Sequence, residues 1–172
     1  MNRARRGVVP HILHLHSTFA PGGKELRTVQ LINAFAAKAR HTIVSAEPAQ
    51  LGAAARIAKG CDVRIQPEFP SLKGWPLPGR LQKIARAMKG YDLVCTYNWG
   101  AMDAVMAHTL FKDVHGLPPL IHHEDGFDES ELVKRKQRRT WFRRIALGKS
   151  SGLVVPSSVL EEIALVEWQQ PL

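Results

Sequence analysis

Short apolar runs of strand length alternate along this chain with longer stretches of helical spacing, and this alternation limits the fold more than any other feature. Such a pattern builds a mostly parallel sheet covered by helices on both faces. Six strands are expected, at His11 to His16, Thr42 to Ala46, Val63 to Gln66, Asp92 to Thr96, Leu120 to His123 and Gly152 to Val155. Helices are expected at about Lys24 to Ala39, Leu51 to Lys59, Arg80 to Lys89, Ala101 to Lys112, Glu129 to Leu147 and Ser158 to Trp168, the last with Ser157 as its N-cap. In the first helix Leu26, Val29, Ile32, Phe35, Ala36 and Ala39 recur at three- and four-residue spacing and read as a stripe facing the core.

Length and composition fit one domain. At 172 residues, 45% hydrophobic, the chain is long enough to bury a core. A basic tail, residues 1–7, precedes the domain at 8–172. No run approaches the roughly 20 apolar residues of a membrane span, and the start lacks the apolar centre of a secretory signal, so a cytoplasmic location is expected. Cys61 and Cys95 lie in or beside strands and read as reduced thiols of the core. Between residues 67 and 79, Pro67, Pro70, Pro76 and Pro78 exclude a regular ladder and predict a long surface loop.

The net charge of +9 is concentrated. Lys134, Arg135, Lys136, Arg138, Arg139, Arg143, Arg144 and Lys149 lie in one helical stretch without an acid. Such a patch attracts anionic headgroups, phosphorylated substrates or nucleic acid; alternatively it is a solvated helix end that complements the macrodipole. No nucleic-acid-binding motif accompanies it, so no nucleic-acid partner is expected.

The first strand runs into Pro21-Gly22-Gly23, after which a helix begins. Glycines let a backbone approach a ligand closely, and the first amides of a helix have no internal partner. Two familiar phosphate-binding readings fail. The G-x-G-x-x-G pattern is absent, and a P-loop would need glycine where Thr18 stands and Ser or Thr where Glu25 stands.

In a parallel sheet the carboxyl ends of all strands share one edge, and the suggestive residues follow those ends. His16 leads to Gly22, Gly23 and Lys24; Asn98 and Trp99 follow the fourth strand; His123, Glu124 and Asp125 follow the fifth. Trp99 suits stacking on a sugar or base, Asn98 suits bonding hydroxyls, and Glu124 or Asp125 suits taking a proton from a hydroxyl. Trp99 packing under a helix and Asn98 capping one are the structural alternatives. His14 and His16 share one strand face, and with His122 and His123 they invite a metal-hydrolase reading. Those hydrolases use barrels of about 250 residues, so no metal is assigned.

Taken in order, the first strand, Gly22-Gly23-x-Glu25, Tyr91 to Val94 leading to Asn98-Trp99-Gly100, the His-Glu-Asp-Gly loop, and Gly152-Leu-Val-Val-Pro-Ser-Ser158 resemble the N-terminal domain of family 4-like GT-B glycosyltransferases. The resemblance covers about residues 8–168. It implies a Rossmann-like three-layer sandwich of six or seven strands and a reaction that moves a sugar from a nucleotide-sugar to an acceptor, without further cofactor. Gly22 and Gly23 would face the donor phosphates. His16, Lys24, Asn98, Trp99 and His123 would bind a glycan or lipid-linked acceptor, and Asp125 and Glu124 would be catalytic. Relatives place a histidine where Asp125 stands. In the family a second, C-terminal domain grips the donor, often through an E-x7-E pair that this chain lacks, so the expected partner is that domain and the chain alone is expected to be inactive. Lipid-linked acceptors would set Arg138, Arg139, Arg143 and Arg144 against an anionic membrane surface, with Trp141, Phe142 and Ile145 entering it.

Overall fold

A computed structural model describes residues 9–126 and 136–171. The basic tail, Lys134, Arg135 and the expected helical start at Glu129 lie outside the described residues. Six strands form one sheet: β1 (His11–His16), β2 (Arg40–Ser45), β3 (Asp62–Ile65), β4 (Leu93–Tyr97), β5 (Leu120–His123) and β6 (Gly152–Val154). Every neighbouring pair is parallel and the order is β3-β2-β1-β4-β5-β6. This is the doubly wound, Rossmann-like arrangement, in which the chain reverses direction across the sheet between β1 and β4 and leaves a crevice outside their carboxyl ends.

The helices are α1 (Gly23–Phe35), α2 (Pro78–Ala87), α3 (Met102–His115), α4 (Gln137–Ala146) and α5 (Ser158–Val166). Proline at the first position starts α2 because the missing N–H would have no partner there. The Ser157 hydroxyl caps α5 by accepting from the Leu160 amide at 3.3 Å. Gly116, left-handed at φ 59°, ends α3.

Alternation along β1 divides the protein into two unlike faces. Leu13 and Leu15 join Val94, Leu120 and Leu153 in a large apolar core with α2, α3, α4 and α5. Each fully buried aliphatic side chain there contributes about 1.5–3 kcal/mol. The opposite face of β1 carries Ile12, His14 and His16; β4 adds Cys95 and Tyr97 to it, and α1 covers it.

Two expectations change. The segment expected to be helical from Leu51 to Lys59 is a short 3-10 turn, Gly52–Arg56. Asn33 of α1 ends it, donating to the Arg56 carbonyl at 3.2 Å and accepting from the Ala58 amide at 2.8 Å, where a longer helix would need its own partners. The buried side of α1 is Glu25, Thr28, Val29 and Ile32, while Phe35 is exposed. Ala36 has a φ of 46°, which breaks the helical phase, so the apolar stripe does not continue through it. The sheet matches the expectation of a mostly parallel one with six or seven strands: among the described residues it has six, all parallel.

Candidate functional site

The loops after β1, β4 and β5 meet at the reversal of strand order. Gly100 lies so close to the β1 loop that a Cβ there would come within 2.3 Å of Ser17 Cβ. Only glycine permits that approach without moving backbone. Asn98, at φ 53°, uses its side-chain oxygen to accept from the Asp125 amide at 2.8 Å rather than to cap the following turn. Asp125 pairs with Arg27 of α1. Residues from three loops are thereby fixed to one another.

Gly22 is the N-cap of α1, and Glu25 is the third helical residue. A Cβ on Gly22 would lie 2.7 Å from Glu25 Oε2, so glycine at this position makes room for the carboxylate to fold back over the helix start. Glu25 is 2% exposed and pairs with Lys24 at 2.5 Å. The positive end of the α1 dipole is thus met by the chain's own acid. Gly23 has open space where a Cβ would stand.

Beneath this mouth is a stack of aromatic rings. Tyr97 lies 4.0 Å from the His16 ring and 4.8 Å from the His123 ring, and its hydroxyl bonds His14 Nδ1 at 2.9 Å. His14 Nε2 meets His41 Nδ1 at 3.0 Å. The Thr28 hydroxyl gives its single proton to the Lys24 carbonyl, so it accepts from His16 Nε2, which fixes that tautomer. Burial pushes His14 down to about 3, helped by the neighbouring His41 and His123. It lowers His123 to about 4, with His122 and Arg27 adding to the effect. His16 is held well below the usual histidine range for the same first reason, with His14 and Lys24 adding to it. Burial raises Cys95 to about 12 and keeps Tyr97 protonated well above the usual phenol range. His16 and His123 therefore form a neutral floor rather than an exposed binding surface. Among the described residues no group of three or more His, Cys, Asp or Glu side chains is arranged to hold a metal ion.

Glu124 is fully buried. Arg143 of α4 reaches it at 3.1 Å and His122 Nε2 lies 3.6 Å away, while the other His122 nitrogen meets Thr96 at 2.8 Å. Asp125 holds the outer position, Glu124 the inner. Arg143, expected on an anionic-surface contact, is 1% exposed because it spans from Glu124 to the rings of Trp99 and Trp168. Arg138 is exposed, and Arg144 is partly exposed with its guanidinium 4.9 Å from the Trp141 ring centroid.

Beside the mouth a cleft of about 650 Å³ opens between Leu72 to Pro76 and the first turns of α4, with Trp99 and Gly100 between them. All of these segments follow the carboxyl ends of β3, β4 and β5. Trp99 packs edge-on against Phe142, and the Arg139 guanidinium sits 4.6 Å over its ring. Trp75 and Arg80 were not singled out from the sequence as site residues; an aromatic within a proline-rich loop after a strand was the available signal. No family model and no curated protein matches this chain. Among the described residues no helix is long and apolar enough to cross a membrane.

Proposed function

We propose that this chain is the acceptor-binding half of a glycosyltransferase that uses a nucleotide-sugar held by a second domain. The observation that carries the reading is the meeting of the β1, β4 and β5 loops at the switch point, where Asp125 is tied to both Asn98 and Arg27. Open α/β sheets bind ligands at this position. Asp125 takes the proton of the acceptor hydroxyl as that oxygen bonds to the anomeric carbon; the bond from that carbon to the donor diphosphate breaks, and the nucleoside diphosphate leaves. Glu124 acts through position, because its pairing with Arg143 anchors the loop that carries Asp125. Gly22 and Gly23 border the side on which the donor phosphates arrive, with Lys24 beside them.

A lipid-linked acceptor would bring α4 to an anionic bilayer. Trp141 and Ile145 are 58% and 55% exposed on that helix, with Arg138 and Arg144 beside them, a combination suited to an interface. Co-sedimentation with anionic vesicles that falls in R138A/R144A is the expected result.

Calorimetric titration tests the main reading. Oligosaccharides are expected to bind the chain about tenfold or more tightly than nucleotide-sugars do. Transfer of labelled sugar is expected when the donor-binding domain is supplied, and to be lost in Asp125→Asn. Tight nucleotide-sugar binding with no saccharide binding overturns the proposal.

A further inference from the structure

The cleft beside the switch point is a built site, and its outer wall shows this most clearly. Arg80 of α2 donates from Nε to the Trp75 carbonyl at 2.9 Å, from Nη1 to the Ser71 carbonyl at 2.7 Å and from Nη2 to the Gly74 carbonyl at 2.8 Å. It also pairs with Asp103 at the start of α3. Gly74 adopts φ +131°, a conformation that side chains rarely allow, so the bend before Trp75 depends on glycine. The Ser71 hydroxyl closes the same loop by donating to the Lys73 carbonyl at 2.9 Å. One guanidinium thus fixes three backbone carbonyls of a segment that has no regular structure.

That fixed loop holds Trp75 with 70% of its surface in water. An indole so exposed gains little from the core, and here the backbone beneath it is immobilised. Arg138 faces it from α4, its guanidinium 5.8 Å from the ring centroid. Lys73, which pairs with Glu47 at 2.6 Å, and Lys136 also line the cleft, and among the described residues its one lining carboxylate, Asp103, is engaged by Arg80. Among the described residues the lining is rich in aromatic and basic side chains. A volume of this size accommodates a small ligand, since such sites run about 300–1,000 Å³.

We propose that this cleft binds a saccharide carrying a carboxylate or phosphate, with the sugar ring on Trp75 and the anion held by Arg138. A guanidinium offers paired N–H donors that match the oxygens of either anion, and an indole face suits the C–H face of a pyranose. The inference rests on the acceptor-binding reading for the sugar and adds the charge of that acceptor. Arg80 is a positioning residue for the platform.

Tryptophan fluorescence and calorimetry on the chain test the site with four probes: a galacturonate trisaccharide, a hexose phosphate, a neutral trisaccharide and inorganic phosphate. At least one acidic sugar is expected to bind about tenfold or more tightly than the neutral sugar and than inorganic phosphate. Which acidic probe binds distinguishes a carboxylated acceptor from a phosphorylated one. Trp75→Ala and Arg138→Ala should each weaken that binding about tenfold, and Arg138→Lys less, while Val159→Ala, on the exposed side of α5, leaves it unchanged. Equal binding of neutral and acidic sugars overturns this inference and leaves the acceptor reading intact. Failure of every saccharide to bind overturns both. A nucleoside monophosphate that binds more tightly than either acidic sugar, or unchanged binding in W75A and R138A, also overturns the inference.

Discussion

Two regions on the same edge of the sheet bring aromatic rings and nitrogen-rich side chains together, with opposite results. Under α1, His14, His16, His123 and Tyr97 are stacked out of water, and burial holds the three histidines neutral. In the cleft, Trp75 and Arg138 face each other in solvent. Desolvation penalises charge in the first region, where neutral rings satisfy one another; hydration tolerates it in the second, where charge remains usable for a ligand. The inner region supplies stability, and the outer one is the region proposed for recognition. Arg143 is the link, because it neutralises Glu124 on the inner side and lies over Trp99 on the outer side.

Cutting that link should give the largest effect. Glu124→Ala removes the buried carboxylate that Arg143 meets at 3.1 Å, and the expected loss is about 3–5 kcal/mol in urea unfolding. A loss below about 1 kcal/mol would mean that the pair is not the inner anchor.

Acid should separate the two regions next. The buried histidines bind protons more weakly when folded than when unfolded, so their contribution is complete above about pH 6.5 and is lost as pH falls toward their folded values. For His14, lowered to about 3, the fall from pH 7 to 5 removes about 2 kcal/mol. Thermal unfolding across that range checks it, and His14→Gln, if folded, should flatten the dependence.

Arg80→Ala comes third. It removes the donors to three loop carbonyls and the partner of Asp103, with an expected loss of about 1–2 kcal/mol. Trp75 should then show greater amplitude of motion in fluorescence anisotropy. The smallest effect on stability belongs to Trp75→Ala, within about 0.5 kcal/mol, although it should abolish most ligand binding in the cleft. A large destabilisation there would make Trp75 a packing residue and erase the contrast between the regions.

Much of this organisation was legible in the chain itself. The ends of β1 and β5 match the sequence reading because apolar runs stop sharply at Ser17 and at the acidic pair after His123. The convergence at the strand ends followed from parallel topology alone. The inner face was not legible, because histidine and threonine carry no periodic apolar signal. Val29 and Ile32 marked the correct helix, but Glu25 and Thr28 share its buried side. Likewise, Arg143 has the same residue type and nearly the same spacing as its exposed neighbours. Glu124, brought from β5, and the Trp168 ring distinguish it. The outer cleft joins a loop after β3 to a helix after β5, a juxtaposition that no local window contains.

The clasp that Arg80 places on residues 71–75 bears on how quickly a ligand is captured. Because those carbonyls are already fastened when the domain folds, the indole does not have to find its orientation in each encounter, and little backbone entropy is surrendered on arrival. Association at the cleft should then follow the meeting of opposite charges, slowing as salt rises and changing little with solvent viscosity beyond the diffusive limit.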